Sequence, residues 1–496
     1  MAPLDLAVLI GYFALTIGIG FWVTRGQRSA GDYFLGARDL PAWSILLSIV
    51  ATETSALTVI SVPGVGARGD LTFLQLTFGY LVGRLVVAWW LLPGYFAGKQ
   101  ETAYARLESR FGPGTRRLLS ACFLVTRFMG DGVRIFAGAI PLALVTGWSI
   151  PAAILAMGSI TLVYTYLGGL KAVVWADVIQ LAVYLSGGVA ALWIATDLAG
   201  GLPRVLDLAA AEGKLRVINP ELSFTTTYTF LGGLLGGGLL SAASHGTDHL
   251  IVQRLLATRS LRDARIALVG SGVVVIFQFL LFLFVGVTIW AAGLAPPELA
   301  ADQIFPRFIL DRLPVGLAGL LIAGILAAAM STISSSINAL ASSVTHDFYS
   351  SITGRDDPGH LLKVGRAFSL VWGLALTGAA LGFYRYASAQ DTPVVVLALS
   401  IASVTYGALL GSYILAGRWS RAQGPDVILA AVLTIAVMLL VVFARRLSAI
   451  AGLEWMAPAG TLAWPWYVPL GTALTVGIGI VSSLRRGRTE MPGERG

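Results

Sequence analysis

Ser331, Thr332, Ser334, Ser335 and Ser336 put a run of hydroxyls inside the stretch Ala327 to Asn338, which is otherwise apolar enough to cross a bilayer. Hydroxyl oxygens there can replace the water shell of a small hard cation without burying a full charge, and a broken helix nearby would free backbone carbonyls to complete the shell. A second polar stretch, Ala51-Thr52-Glu53-Thr54-Ser55-Ala56-Leu57-Thr58, interrupts the apolar block 41-66, and Pro63 is expected to end or bend that block because it lacks an amide donor. If the helix unwinds near Thr54, the carbonyls of Ala51 and Thr54 can face the same cation as the carbonyl of Ala328 and the hydroxyls of Ser331 and Thr332. Such a set of neutral oxygens suits sodium. The plainer alternative is that these hydroxyls return hydrogen bonds to their own helix or to a neighbour.

The elements that would carry these groups are membrane helices. Of 496 residues, 56% are hydrophobic and 12% charged, and mean hydropathy is +0.79. The apolar residues fall in long blocks, among them 5-24, 71-96, 173-197, 264-291, 392-416 and 466-484, each near the roughly 20 residues a spanning helix needs. The composition and blocks predict an all-α integral membrane protein of about thirteen spans. Residues 1-40 form a peripheral first span and loop. Residues 41-197 and 228-416 each hold about five spans, joined by an external connection, 198-227, and followed by peripheral spans in 417-484 and a polar tail, 485-496. Pro63-Gly64-Val65-Gly66 in one set and Gly232-Gly233 with Gly236-Gly237-Gly238 in the other are paired weak points, as expected of an inverted repeat with discontinuous helices.

The net charge of +8 reads as topology rather than as affinity for nucleic acid. With the N-terminus outside, the cytoplasmic loops receive Arg25, Arg28, Arg38, Lys99, Arg106, Arg110, Arg116, Arg117, Lys171, Arg254, Arg259, Arg262, Arg265, Arg418, Arg421, Arg485, Arg486 and Arg488. This positive-inside bias sets the C-terminus in the cytoplasm of a multi-pass protein of the plasma or inner membrane. Met1-Ala2-Pro3-Leu4-Asp5 lacks a basic n-region, so no cleavable signal peptide is expected. A sole cysteine, Cys122, excludes an internal disulfide and a thiolate metal cluster within one chain.

Three local patterns, Ala51 to Gly64, Gly168 to Gln180 and Ala328 to Asn338, resemble the sodium/solute symporter family, and with the spans they cover nearly the whole chain. The resemblance implies a broken-helix, inverted-repeat core shared with neurotransmitter-type sodium symporters. It implies Na+ as the driving ion, with a common sodium site on Ala51, Thr54, Ala328, Ser331 and Thr332. It further implies a second sodium site on Asp177, Ser334 and Ser335 that shares Ser331, for which the alternative is an interfacial Asp177 paired with Lys171 or another basic residue. Glu53 departs from the small neutral residue expected in a minimal sodium shell, and its side chain is expected to turn toward a basic residue such as Arg84.

The same resemblance directs substrate binding to Ser55, Thr58, Gln75, Arg134 and Gln278. Arg127, Asp131 and Arg134 stand four and three residues apart, so one helical face aligns them either as a structural ion network or with one guanidinium left for an anion. Arg134 is the choice for that free cation. His245 and His249 are one turn apart with Asp248 between them, a spacing that can bind metal, but lacking a third ligand they are expected to cap helices and form an inner gate. The function expected is sodium-coupled import of a small organic solute, favouring a carboxylate such as sialic acid, a monocarboxylate or a pantothenate-like acid over a sugar. The partners expected are the solute, sodium and the bilayer, with no obligatory protein partner. A sodium-responsive sensor or channel is the reading of another class, and the separated Ser, Asp and His clusters give no nucleophile-base motif for an enzyme.

Overall fold

The computed structural model describes residues 3–23, 29–98, 100–387, 394–450 and 452–489. Arg25, Arg28 and Lys99, expected in cytoplasmic loops, lie outside the described residues, as does most of the tail. Among the described residues the chain is helical, with one isolated β-bridge between Leu40 and Thr258. In chain order the helices that matter here are α1 (Pro3–Val23), α2 (Ala42–Glu53), α3 (Ala56–Arg68), α4 (Leu74–Val86), α5 (Pro113–Thr146) and α6 (Ile150–Leu198). They are followed by α7 (Gly238–Gly246), α8 (His249–Leu256), α9 (Leu261–Ala291), α10 (Leu317–Ser343), α11 (Pro358–Ala387), α12 (Val394–Arg418), α13 (Gly424–Leu447) and α14 (Tyr467–Thr489).

By length and composition, seven helices among the described residues can cross a membrane, or eight if α2 and the helix after it form one bent span. Part of the difference from the thirteen expected lies in α6, whose 49 residues count once. At 1.5 Å per residue it would run about 73 Å, against a hydrocarbon core of about 30 Å. Gly169 interrupts it with φ +55 and ψ −152. A Cβ at Gly169 would sit 2.5 Å from the Tyr33 carbonyl oxygen, so both backbone shape and space require glycine there.

α10 is the axis of the bundle. From Leu321 to Ser343 its side chains are buried all round, and it packs on α6, α5 and α1. Its abundance of Ala, Gly and Ser permits this, since small side chains let helices approach where lipid offers no hydrophobic drive.

Two sequence signals for helix breaks fall in the wrong places. Pro63 sits within α3, which continues to Arg68, and the true break is at Thr54 and Ser55, both extended (φ −83, ψ 106 and φ −91, ψ 165). The halves bend by 66°. The glycines after Pro63 serve contact instead: a Cβ on Gly66 would overlap the Leu283 carbonyl oxygen, and one on Gly286 would overlap that of Pro63. Likewise Gly232–Gly237 is a π-helical turn rather than a break, seated against Gln75 and Leu76. The second discontinuity falls later, at Thr247 and Asp248, where Asp248 caps α8 by accepting from the Leu250 amide at 2.9 Å.

Candidate functional site

The break between α2 and α3 faces the hydroxyl run of α10. Thr52 Oγ1 lies 3.2 Å from Ser335 Oγ, and the site of a Cβ on Gly138 is 3.6 Å from the Ala56 side chain and 2.7 Å from that of Ala329. The two segments therefore touch through Thr52 and Ser335. Because residues 54 and 55 are extended, the helical ladder stops with the Thr54 amide on the Val50 carbonyl at 3.1 Å. Carbonyls of the last turn, including Ala51, then have no helical donor. Thr54 Oγ1 is fixed from two sides, donating to Val50 O at 2.8 Å and accepting from Gln278 Nε2 at 2.7 Å. Thr332 Oγ1 donates to Ala328 O at 3.2 Å, Ser331 Oγ to Asp177 Oδ1 at 2.6 Å, and Ser334 and Ser335 both to Ser331 O, at 3.1 and 2.6 Å. Ser331 and Thr332 are thus satisfied as donors and keep lone pairs, the part a cation would use, whereas Ser335 Oγ already accepts from Arg254 Nη2.

Asp177 is fully buried on α6, and its partner is Arg254 on α8, also fully buried, at 3.1 Å. Counting Arg254 among cytoplasmic loop charges is thus corrected: a positive-inside count reads side chains in sequence and cannot see one turned into the bundle. The guanidinium also donates from Nε to Ser48 Oγ at 2.9 Å, from Nη1 to Leu250 O at 2.9 Å, and from Nη2 to Ser335 Oγ. Ser48 and Thr52 of α2 complete the cage, donating to Asp177 Oδ2 at 2.5 and 3.3 Å. Breaking a buried pair by removing one partner costs about 3–5 kcal/mol, well above any single hydrogen bond here.

Beside the break lies a cavity of about 300 Å³, lined by Glu53, Ser55, Thr58, Arg134 and His245 and by aromatic faces. Ser55 Oγ and Thr58 Oγ1 are 3.3 Å apart. Glu53 pairs with Arg84, which is fully buried and donates to Ser271 Oγ at 2.8 Å. His245 Nε2 stands 3.5 Å from Glu53 Oε2 and has no hydrogen-bond partner. The Arg127 guanidinium is taken by Asp248 (Nη2 at 2.6 Å) and Tyr406 (2.9 Å). Arg134 pairs with Asp131 at 3.0 Å, and its side chain is 28% exposed, against 10% for that of Arg127. Of the two, Arg134 is the one open to a ligand.

Gln75 and Gln278 are not among the cavity's lining residues. Gln75 donates to Thr72 O at 2.9 Å and accepts from the Asn219 amide at 2.8 Å, tying down the connection 198-227. Gln278 bridges Thr54 and Tyr184. His249 has its own partners, Ser342 Oγ at 3.1 Å and the Ala103 amide at 3.3 Å, so the two histidines do not converge. Sequence reasoning missed the aromatic walls, Phe73, Tyr228, Phe279 and Tyr406, with Phe73 and Phe279 stacked at 5.2 Å. Nothing local distinguishes these rings from the many others in the helices.

A model of the Sodium:solute symporter family matches residues 33–434. The Sodium/iodide cotransporter of Homo sapiens is 34% identical over 422 residues, 82% of this chain and 65% of that protein. The chain thus spans just under two thirds of that relative's length. Sodium/sialic acid symporter NanT of Aliivibrio fischeri is 26% identical over 488 residues, 97% of this chain and 93% of that one. The fold matches a solved substrate-bound, outward-open Na+-coupled sialic acid symporter with a TM-score of 0.86, at 24% identity and covering 98% of both chains.

Proposed function

The chain belongs to the sodium:solute symporter family, and from that premise we propose that it imports a small organic acid by symport with sodium. The observation that carries this reading is the break at Thr54 and Ser55, which ends the helical ladder beside the hydroxyl run of α10 and a cavity walled by Ser55, Thr58 and Arg134. Sodium sits between α2 and α10 on the carbonyls of Ala51, Thr54 and Ala328 and the hydroxyls of Ser331 and Thr332. It holds the broken helix against α10, and the solute, its carboxylate on Arg134, closes the outer path. Gln75 and Gln278 act one layer out, holding the external connection and Thr54. Asp177, Ser334 and Ser335, sharing Ser331, are the groups a second ion would use.

The preference for an acid is supported by the exposure of Arg134 and by relatives named for sialic acid and monocarboxylate. A sugar is the second reading. It draws on the pairing of each arginine that lines the cavity with a carboxylate: Arg127 with Asp248, Arg134 with Asp131. In the membrane the chain crosses about thirteen times, with two inverted sets of about five spans in 41-197 and 228-416, the N-terminus outside and the C-terminus in the cytoplasm. Proteoliposomes test the reading. Uptake of acids is expected to require an inward sodium gradient; equal uptake in potassium, or competition by sugars and not by acids, would defeat the coupling or the substrate class respectively.

A further inference from the structure

The proposed sodium coupling leaves the second cation locus to be explained, because Asp177 already has a cation. The Arg254 guanidinium reaches it from α8 and bonds two of the residues that would hold an ion there, Asp177 and Ser335, together with the neighbouring Ser48. Asp177 and Arg254 are each other's ion-pair partners, both fully buried. The locus is therefore neutral as it stands. A sodium ion added beside the guanidinium would leave one unbalanced positive charge in a dry, low-dielectric site, and it would have to take Asp177 Oδ2 and Ser335 Oγ from a group whose donors already occupy them.

Geometry separates this locus from the first one. The carbonyls of Ala51, Thr54 and Ala328 carry no formal charge, so an ion among them meets no tethered competitor. Ser331 joins the two, with its hydroxyl hydrogen on Asp177 Oδ1 at 2.6 Å and its lone pairs free for the first ion. Asp177 thereby orients Ser331 as a ligand while its own charge is met by protein.

Resting on the sodium-coupled reading, we propose that Arg254 is a tethered cation standing in for a second sodium ion at Asp177, so that the chain binds one sodium ion. Its flexible stem and fixed charge suit that role, since a guanidinium stays protonated at any physiological pH and supplies several directed donors, where sodium would need a fresh oxygen shell each cycle.

Equilibrium binding of radiosodium to the purified full chain, with no solute, reads the number directly. Wild type is expected to saturate at one ion per chain, without cooperativity. Arg254→Gln frees Asp177 and is expected to bind two. The double variant Asp177→Asn with Arg254→Gln removes both charges and returns to one, and Arg254→Lys, which keeps a tethered cation, also stays at one. Two ions per wild-type chain would overturn the proposal, as would one ion per chain in a folded Arg254→Gln protein. Should Arg254→Gln not fold, the wild-type and Arg254→Lys numbers decide, a value of two in either counting against it. Thr332→Ala separates the underlying reading: wild type that binds no sodium, or binding indifferent to Thr332→Ala, refutes sodium coupling at this site rather than the role of Arg254.

Discussion

At the scale of single residues, the site divides into groups that offer neutral oxygen and groups that carry charge, and the two kinds should fail differently. Thr332→Ala removes one neutral ligand, and the sodium concentration for half-maximal uptake is expected to rise about tenfold, equivalent to ~1.4 kcal/mol, with maximal rate largely kept. Arg134→Gln removes a charge-assisted bond worth about 1.5–3 kcal/mol, so KM for a carboxylate should rise roughly 10- to 100-fold while sodium binding without solute is unchanged. An unchanged KM for acids would remove Arg134 from the substrate contacts. Glu53→Gln is different again, because it leaves Arg84 buried without its anion. The expected outcome is a loss of stability of about 3–5 kcal/mol, and the double variant Glu53→Gln with Arg84→Met should melt closer to wild type than either single one.

At the scale of elements, what the sequence disclosed depended on whether a signal was local. The unwinding near Thr54 was legible because a polar run in an apolar block has few other uses. Pro63 is not a reliable marker, since a missing amide donor can be tolerated within a helix, and of the glycines after it Gly66 is needed for close contact with α9 and Gly64 for contact with Ala301. The π-turn at Gly232–Gly237 misled for the same reason, glycine being demanded equally by a break and by a close neighbour. Arg254 reads as a loop charge because its partner lies 77 positions away on another helix, and the aromatic walls leave no local signal because each comes from a different segment. Gly286→Ala tests the packing account: its new methyl would meet backbone rather than a flexible side chain. A loss of about 1–3 kcal/mol is expected, seen as a lower melting temperature in detergent, and a neutral result would show that α3 and α9 can separate freely.

At the scale of the whole molecule, transport is a matter of net charge moved. Each elementary charge crossing the membrane is worth about 2.3 kcal/mol per 100 mV. One sodium ion with a monoanion moves no net charge, so the initial rate of acid uptake should be indifferent to an imposed potassium-diffusion potential. A neutral sugar with one sodium ion would be pulled inward by an inside-negative potential. Faster acid uptake at such a potential would therefore argue for more than one sodium ion, and no dependence on potential or sodium at all would argue against symport.

The seat of Gly286 on the Pro63 carbonyl couples the second half of the broken helix to α9, the helix that also carries Phe279. With main chain resting on main chain, no bulkier or smaller side group at the crossing can retune its spacing. The rings and hydroxyls around the chamber, and not that joint, are then the places where a different solute would be accommodated.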